Sequence, residues 1–257
     1  MFEQTENRVL KENIKKIATM FKNVMFPGYS CDCCGEEIKE NNLRLCPGCY
    51  EELKLHKNSK TCVKCGNIIN DEELVCEECK EKHFSFDKAI SVCDYSAVSG
   101  SLVKQFKFDG KKYVSETIAK MMIVYLNELN IDFDFITCVP ISKERFSERE
   151  FNQSEILAQK IAKHFEKPFV NLLFKLKDTP KQSTLSQIDR YKNLRGVIKI
   201  KVPLNLKGKT IILVDDVFTT GTTLDECSRQ LLKLKPKEII AFTFAKVDYK
   251  MRKLIDA

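Results

Sequence analysis

The chain holds no tryptophan and only three histidines among 257 residues. It has no apolar run long enough to cross a bilayer, which takes about 20 residues as a helix, and no apolar signal segment at its start. These absences set aside a membrane-spanning or exported chain and predict a cytoplasmic protein without membrane insertion, in a reducing compartment. Two of the histidines, His56 and His83, flank a cysteine-rich region that has thiols enough without them.

Cysteine is what the chain has in excess. Eight of twelve fall into four C-x-x-C pairs, Cys31/Cys34, Cys46/Cys49, Cys62/Cys65 and Cys76/Cys79. Each pair sets two thiolates for one tetrahedral metal, so four pairs predict two structural Zn²⁺ sites, and the reducing setting argues against a disulfide framework. The pairs also repeat: C-x-x-C-G-x-x-I opens residues 31–38, C-x-x-C-G-x-I opens residues 62–68, and each copy closes on a second C-x-x-C. Sequential ligation, one site per copy, is the simpler model; a cross-braced arrangement joining Cys31/Cys34 to Cys62/Cys65 is the alternative. Cys33 reads as a spare thiol, while Cys93, Cys138 and Cys227 lie in apolar patterns that suit a core.

Charge limits what the cysteine region does. Residues 1–85 carry 13 Lys and Arg against 15 Asp and Glu, whereas residues 86–257 carry 30 against 21. Two tetrathiolate zinc sites would make the first part more negative by about four units, since each Zn²⁺ offsets half of its thiolates. That is a poor grip for a phosphate backbone and a better scaffold or protein contact.

Residues 8–25 place Val9, Leu10, Ile14, Ile17, Met20, Phe21 and Val24 at amphipathic-helix spacing, ending at Pro27 and Gly28. The boundaries that follow are an N-terminal helix in 1–27, a double zinc ribbon in 28–83 and a larger domain in 84–257. In the larger domain strands are predicted at 89–95, 135–139, 169–174, 211–214 and 238–244. Helices are predicted at 114–129, 152–165 and 224–234, with a break at Gly110 and Lys111. Such alternation gives an α/β fold with a mainly parallel sheet flanked by helices, whose ligands sit at the carboxyl ends of the strands.

The predicted strand 211–214 runs into Asp215, Asp216, Val217, Phe218, Thr219, Thr220, Gly221, Thr222 and Thr223, and then into a helix. A helix start offers unpaired N–H groups and a positive dipole end to an anion, the threonines add hydroxyls, and the glycine lets the backbone come close. Adjacent carboxylates repel phosphate but suit sugar hydroxyls, or Mg²⁺ bridging a sugar and a pyrophosphate. An ordinary helix cap needs one such residue and this loop has six. No G-K-[ST] follows the strand, which argues against a nucleoside-triphosphate loop.

This segment resembles the phosphoribosyl-diphosphate (PRPP) loop of type I phosphoribosyltransferases. The resemblance implies that Asp215 and Asp216 hold the ribose hydroxyls as the catalytic acids. It implies that residues 217–223 hold the 5′-phosphate, with Mg²⁺ as cofactor. It also implies that the loop after the 135–139 strand, Pro140, Ile141, Ser142 and Lys143, takes the pyrophosphate. Lys143, Arg145 and Arg149 read either as neutralising charge or as a solvated cluster with Glu144, Glu148 and Glu150.

Two cysteine ribbons before a PRPP-type domain resemble the ComF family of competence-related proteins over nearly the whole chain. Residues 102–110 loosely match its K-x-x-G-type segment. Val139, Pro140, Lys143, Arg145 and the run Arg149, Glu150, Phe151, Asn152, Gln153 match its V-P strand end and R-G-F-N-Q. Residues 182–193 match its Q-x-x-L-x-x-x-x-R-x-x-N. Glu150 departs from the family glycine; if that position needs a positive φ, the glutamate costs conformational energy and weakens the pyrophosphate half-site.

Three functions compete. The resemblance implies a PRPP-binding competence protein that acts on single-stranded DNA. Residues 171–209 support it with ten Lys and Arg against Asp178 and Asp189; Lys175, Lys177, Lys181, Arg190 and Lys192 are the candidate phosphate contacts, with Phe174 or Tyr191 to stack a base. The plainer reading of that stretch is a solvated basic loop. A phosphoribosyltransferase for a small base or amine is the second function, although no motif for a particular base stands out. The third is a zinc-ribbon adaptor, bound to a partner of the competence machinery, whose transferase fold senses PRPP.

Overall fold

The computed structural model describes residues 29–248 apart from 40, 42, 58, 71, 109–110 and 177–195. The helix predicted over 8–25, the break at Gly110, the 182–193 segment with Tyr191, and the DNA-contact candidates Lys177, Lys181, Arg190 and Lys192 lie outside these residues.

The described strands are β1 (Lys88–Asp94), β2 (Phe135–Cys138), β3 (Leu173–Lys175), β4 (Ile198–Ile200), β5 (Thr210–Phe218) and β6 (Glu238–Lys246). The helices are α1 (Pro47–Glu52), α2 (Glu77–Lys80), α3 (Ala97–Phe108), α4 (Val114–Glu128), α5 (Lys143–Arg149), α6 (Gln153–Phe165) and α7 (Thr222–Leu231). Four strands form the main sheet in the order β1-β6-β5-β2, with every pair parallel. Parallel neighbours need long crossovers, so helices cover both faces and the strands read as continuous apolar runs.

Strand parity divides the core. Ile212 and Val214 of β5 pack with Leu102, Phe106 and Leu157 in one cluster, while Ile211 and Leu213 pack with Leu224, Cys227 and Leu231 in the other. Each of these β5 residues is fully buried, which stabilises by roughly 1.5–3 kcal/mol apiece before ordering costs.

Three elements differ from expectation. The strand predicted at 169–174 is not part of the main sheet: Phe169 makes one bridge to Ile136, and then the Leu172 N–H turns to Thr137 Oγ1 at 3.3 Å instead of a neighbouring strand. The chain there forms β3, which pairs antiparallel with β4 in a separate two-stranded sheet. Next, β5 does not stop at Val214. Its ladder with β6 continues through Asp215↔Thr243, Val217↔Ala245 and Phe218↔Lys246, so both acids stand within a strand.

The third difference is α3, which no sequence signal announced because Ser96, Ser99, Gly100 and Ser101 dilute its start. It is held by reciprocal caps, Ser96 N to Ser99 Oγ at 2.7 Å and Ser99 N to Ser96 Oγ at 3.3 Å. Its buried stripe of Val98, Leu102, Val103 and Phe106 does the rest. Gly100 belongs there for packing, since a Cβ would lie 3.0 Å from the Tyr95 ring.

Both cysteine repeats sit against the sheet domain. Buried Asp32 accepts from Thr117 Oγ1 of α4 at 2.6 Å and pairs with Arg44 at 3.2 Å, while Gln105 of α3 donates to the Asp32 carbonyl at 2.9 Å. The stretch between the repeats runs beside β1, with His56 N to Val92 O at 2.9 Å and Asp94 N to Lys54 O at 3.0 Å. Among the described residues no helix is long and apolar enough to cross a membrane.

Candidate functional site

The eight cysteines gather as two sets, Cys31/Cys34/Cys46/Cys49 and Cys62/Cys65/Cys76/Cys79, with all sulfurs of a set within 4.8 Å of one another. These are the sequential sets, not the cross-braced alternative. Neither His56 nor His83 belongs to either set; His56 is buried and its Nε2 lies 2.8 Å from Asp94 Oδ1. Tetrahedral Zn²⁺ with bonds of about 2.3 Å requires sulfurs about 3.8 Å apart. The 3.7 Å between Cys34 and Cys46 and the 3.6 Å between Cys65 and Cys76 fit that edge. Hydrogen bonds from the Cys65 and Cys79 thiols hold Cys62 far below its usual range, and the same bonds to Cys62 push Cys65 and Cys79 up.

The acidic pair stands at the carboxyl end of β5, and its members meet different helices. Asp216, on the Ile212–Val214 face, meets α3: Lys107 Nζ lies 2.7 Å from Asp216 Oδ2. Asp215 accepts at Oδ1 from Ser154 Oγ at 2.7 Å and from the Asp216 N–H at 2.9 Å. Burial, and then the Asp216 charge, push the Asp215 carboxyl up to about 7. Ser154 reaches it because Asn152 caps α6, accepting from Ser154 N at 3.1 Å while its Nδ2 donates to the Val139 carbonyl at 3.0 Å. The N-Q-S run thus ties the end of β2 to the end of β5.

Beyond the acids the chain turns through Thr219 and Thr220 to Gly221, which stands at φ +78° as the N-cap of α7. The N-cap glycine makes no side-chain cap bond, and the Thr222 N–H donates to Thr220 Oγ1 at 3.4 Å. Thr220 and Thr222 pair their hydroxyls at 2.8 Å. Gly221 is required by both conformation and space, because a Cβ would lie 2.7 Å from the Phe218 ring and 2.9 Å from Phe84. Phe84 and Phe86, which follow the second cysteine set, stack at 4.7 Å and meet Phe218 edge-on at 6.2 Å. Ser85 N donates to Asp225 of α7 at 2.6 Å. The segment leaving the second ribbon therefore braces this loop.

After β2, Pro140 and Ser142 are buried and Lys143 is exposed; Ser142 caps α5, accepting from Arg145 N at 3.3 Å. Glu150 ends α5 at φ +63°, so the position does demand a positive φ, at a cost of about 1–2 kcal/mol for a non-glycine residue. Gln153 is buried; its Oε1 accepts from Arg149 at 3.3 Å, and its Nε2 meets no acceptor among the described residues. Lys175, in β3, is the one described member of the predicted phosphate contacts, and the base-stacking candidate Phe174 precedes it, 38% exposed. Lys107, Ser154 and Phe84 were not singled out from the sequence. Lys107 sat in the loosely matched 102–110 segment, and Ser154 directly follows the matched Asn152 and Gln153.

A family model described as a phosphoribosyl transferase domain matches residues 152–255. The chain is 28% identical to Competence protein F of Haemophilus influenzae over 228 residues, covering 86% of this chain and 98% of that protein. It is 27% identical to Competence protein ComFC of Bacillus subtilis, covering 83% and 82% respectively. Adenine phosphoribosyltransferase from Saccharomyces cerevisiae is a structural neighbour at TM-score 0.36 and 16% identity, covering 57% of this chain and 76% of that one.

Proposed function

Because this chain belongs to the ComF family, we propose that it is a cytoplasmic protein that binds PRPP at the end of β5 and handles single-stranded DNA during DNA uptake. The observation that carries the PRPP reading is the start of α7. A ten-residue helix opens at a left-handed N-cap glycine that makes no side-chain cap bond, beside a loop of threonine hydroxyls of which Thr220 Oγ1 accepts from Thr222 N. That is a seat for a phosphate, and two carboxylates stand beside it to receive a diol.

In this reading residues 217–223 hold the 5′-phosphate, Asp215 and Asp216 accept from the ribose hydroxyls, and residues 140–143 face the pyrophosphate. Mg²⁺, when bound, supplies charge neutralisation between the sugar and the pyrophosphate. Ser154 orients Asp215 for its contact, and Lys107 offers a cation at the same edge. Each cysteine set would hold one structural Zn²⁺. The ribbons also expose Tyr29, Tyr50, Val63, Ile68 and Leu74, which suits a protein contact with the uptake machinery.

Titration calorimetry with PRPP and Mg²⁺ tests the site: the D215N/D216N variant should lose binding, and parental affinity in that variant would reduce the loop to a helix start. PRPP consumption in the presence of single-stranded DNA or a panel of bases decides between binding alone and phosphoribosyl transfer.

A further inference from the structure

The two cysteine sets stand on different parts of the core. Cys31 and Cys46 of the first set belong to the cluster that holds Leu102 and Phe106 of α3 and Ile118 of α4. All four cysteines of the second set are buried, and they share the other cluster with Phe86 and with Phe218 and Leu224, on either side of the loop between β5 and α7. That second set lies directly on the sheet. Gly66 stands at φ +74°, and a Cβ there would meet the Ala89 carbonyl oxygen of β1 at 3.0 Å.

Residues 80–87 lead from Cys79 to β1 and are anchored at both ends. Lys64, between Cys62 and Cys65, donates from Nζ to the carbonyls of Cys79 at 3.5 Å and Lys82 at 3.3 Å. At the other end Asp87 N donates to Ile239 O at 3.0 Å, and Asp87 Oδ2 accepts from Ile239 N at 2.7 Å. Between these anchors lie the two contacts with the loop, the Phe84 ring against Gly221 and the Ser85 N–H on Asp225 in the first turn of α7. A ribbon of this size has little apolar surface of its own and draws folding free energy from its metal. Loss of the second zinc would therefore release the Cys79 anchor, and with it the ring that closes on Gly221. The metal-dependent folding of this repeat is a two-state element, and zinc and a ligand of the loop favour the same state.

We infer that residues 80–87 form a strut through which the second zinc, and not the first, holds the loop between β5 and α7 in its phosphate-binding shape, with Phe84 as the positioning residue. The inference rests on the PRPP reading above and adds a linkage to it. PRPP and the second zinc tighten one another by the same factor, about 5- to 150-fold for an ordinary coupling.

Equilibrium competition on the full chain, with a chromophoric chelator selective for zinc over magnesium, tests this. C34S leaves the second site as reporter, and saturating PRPP with Mg²⁺ should tighten its zinc by about 5- to 150-fold. C76S leaves the first site, whose zinc should keep its affinity, and so controls for zinc taken up by PRPP itself. F84A/C34S should keep its zinc and lose the tightening. Hydrogen exchange at the amides of residues 219–225, measured without PRPP, should be faster in F84A than in the parental protein at equal zinc content. Exchange unchanged by F84A would overturn the strut, whatever the protein does with PRPP. PRPP that binds without moving the zinc affinity of C34S, or that moves C76S equally, would overturn the linkage and leave the PRPP site standing. Parental protein that binds no PRPP, with exchange still faster in F84A, would bring down the PRPP reading and keep the strut.

Discussion

Lys107 Nζ lies 2.7 Å from Asp216 Oδ2, joining the end of α3 to the end of β5 with side chains 22% and 7% exposed. The ammonium offsets one of two carboxylates that β5 sets side by side, and it holds the strand edge and α3 together. Removing one partner of a largely buried pair leaves the other charge unmatched. K107M should therefore destabilise the fold by about 2 kcal/mol in urea titrations, and K107M/D216N should recover most of that loss. Equal destabilisation in the single and double variants would show that the pair is only a surface contact.

Asp215 gives the protein a pH signature. Its folded carboxyl, pushed up to about 7 by burial and the Asp216 charge, binds its proton more tightly than in the unfolded chain. Such a group adds stability that is fully present below its unfolded value near 3.8 and is lost as the pH rises through about 7. D215N should remove up to about 4 kcal/mol of pH dependence between pH 4 and 8 and be more stable than the parent at pH 8. An Asn accepts the Ser154 hydrogen bond equally well, so a profile identical to the parent's would place the titration elsewhere.

Metal analysis by native mass spectrometry should find two zinc ions per chain. C34S and C76S should each lose one and leave the other set loaded, because each repeat closes its own tetrahedron. Chelation should lower the melting temperature, since the free energy of metal binding contributes to folding. A cysteine variant that empties both sites would mean that the sets fold as one unit.

Gly221 is the tightest point of the loop. G221A forces a side chain into a left-handed backbone and against Phe218 and Phe84, so it should cost more than about 2 kcal/mol and abolish PRPP binding. F84A/G221A should regain part of the stability, by opening space for the methyl group. No recovery in the double variant would leave the positive φ and the Phe218 ring as the source of the cost.

Glu150 carries conformational strain at φ +63°. E150G should raise stability by about 0.5–1 kcal/mol, the left-handed penalty less the entropy that glycine adds to the unfolded chain. Tighter PRPP binding in the same variant would tie the strain to the pyrophosphate half-site.

The two cysteine sets and the acid-threonine loop were legible from residues 31–79 and 211–223, and the parallel α/β class from the alternation of strands and helices over 89–244. Each is a local pattern: ligand spacing is set along the chain, a doubly covered strand is apolar throughout, and a phosphate loop joins a strand to a helix without interruption. Glu150 was legible as a conditional, and its backbone angle met the condition. Other features depended on residues far apart in the chain. Only pairing with β6 could extend β5 through Asp215 and Asp216. Only the loss of a main-sheet partner beyond Phe169 could turn the chain into β3. Lys107 and Ser154 are 109 and 61 residues from the acids they touch, and Phe84 reaches Gly221 from the far end of the second ribbon. Local spacing chose the chemistry of the ligands. Tertiary packing decided which charges, rings and hydroxyls face them, because a side chain's neighbours across a sheet are set by register and crossover and not by position in the chain.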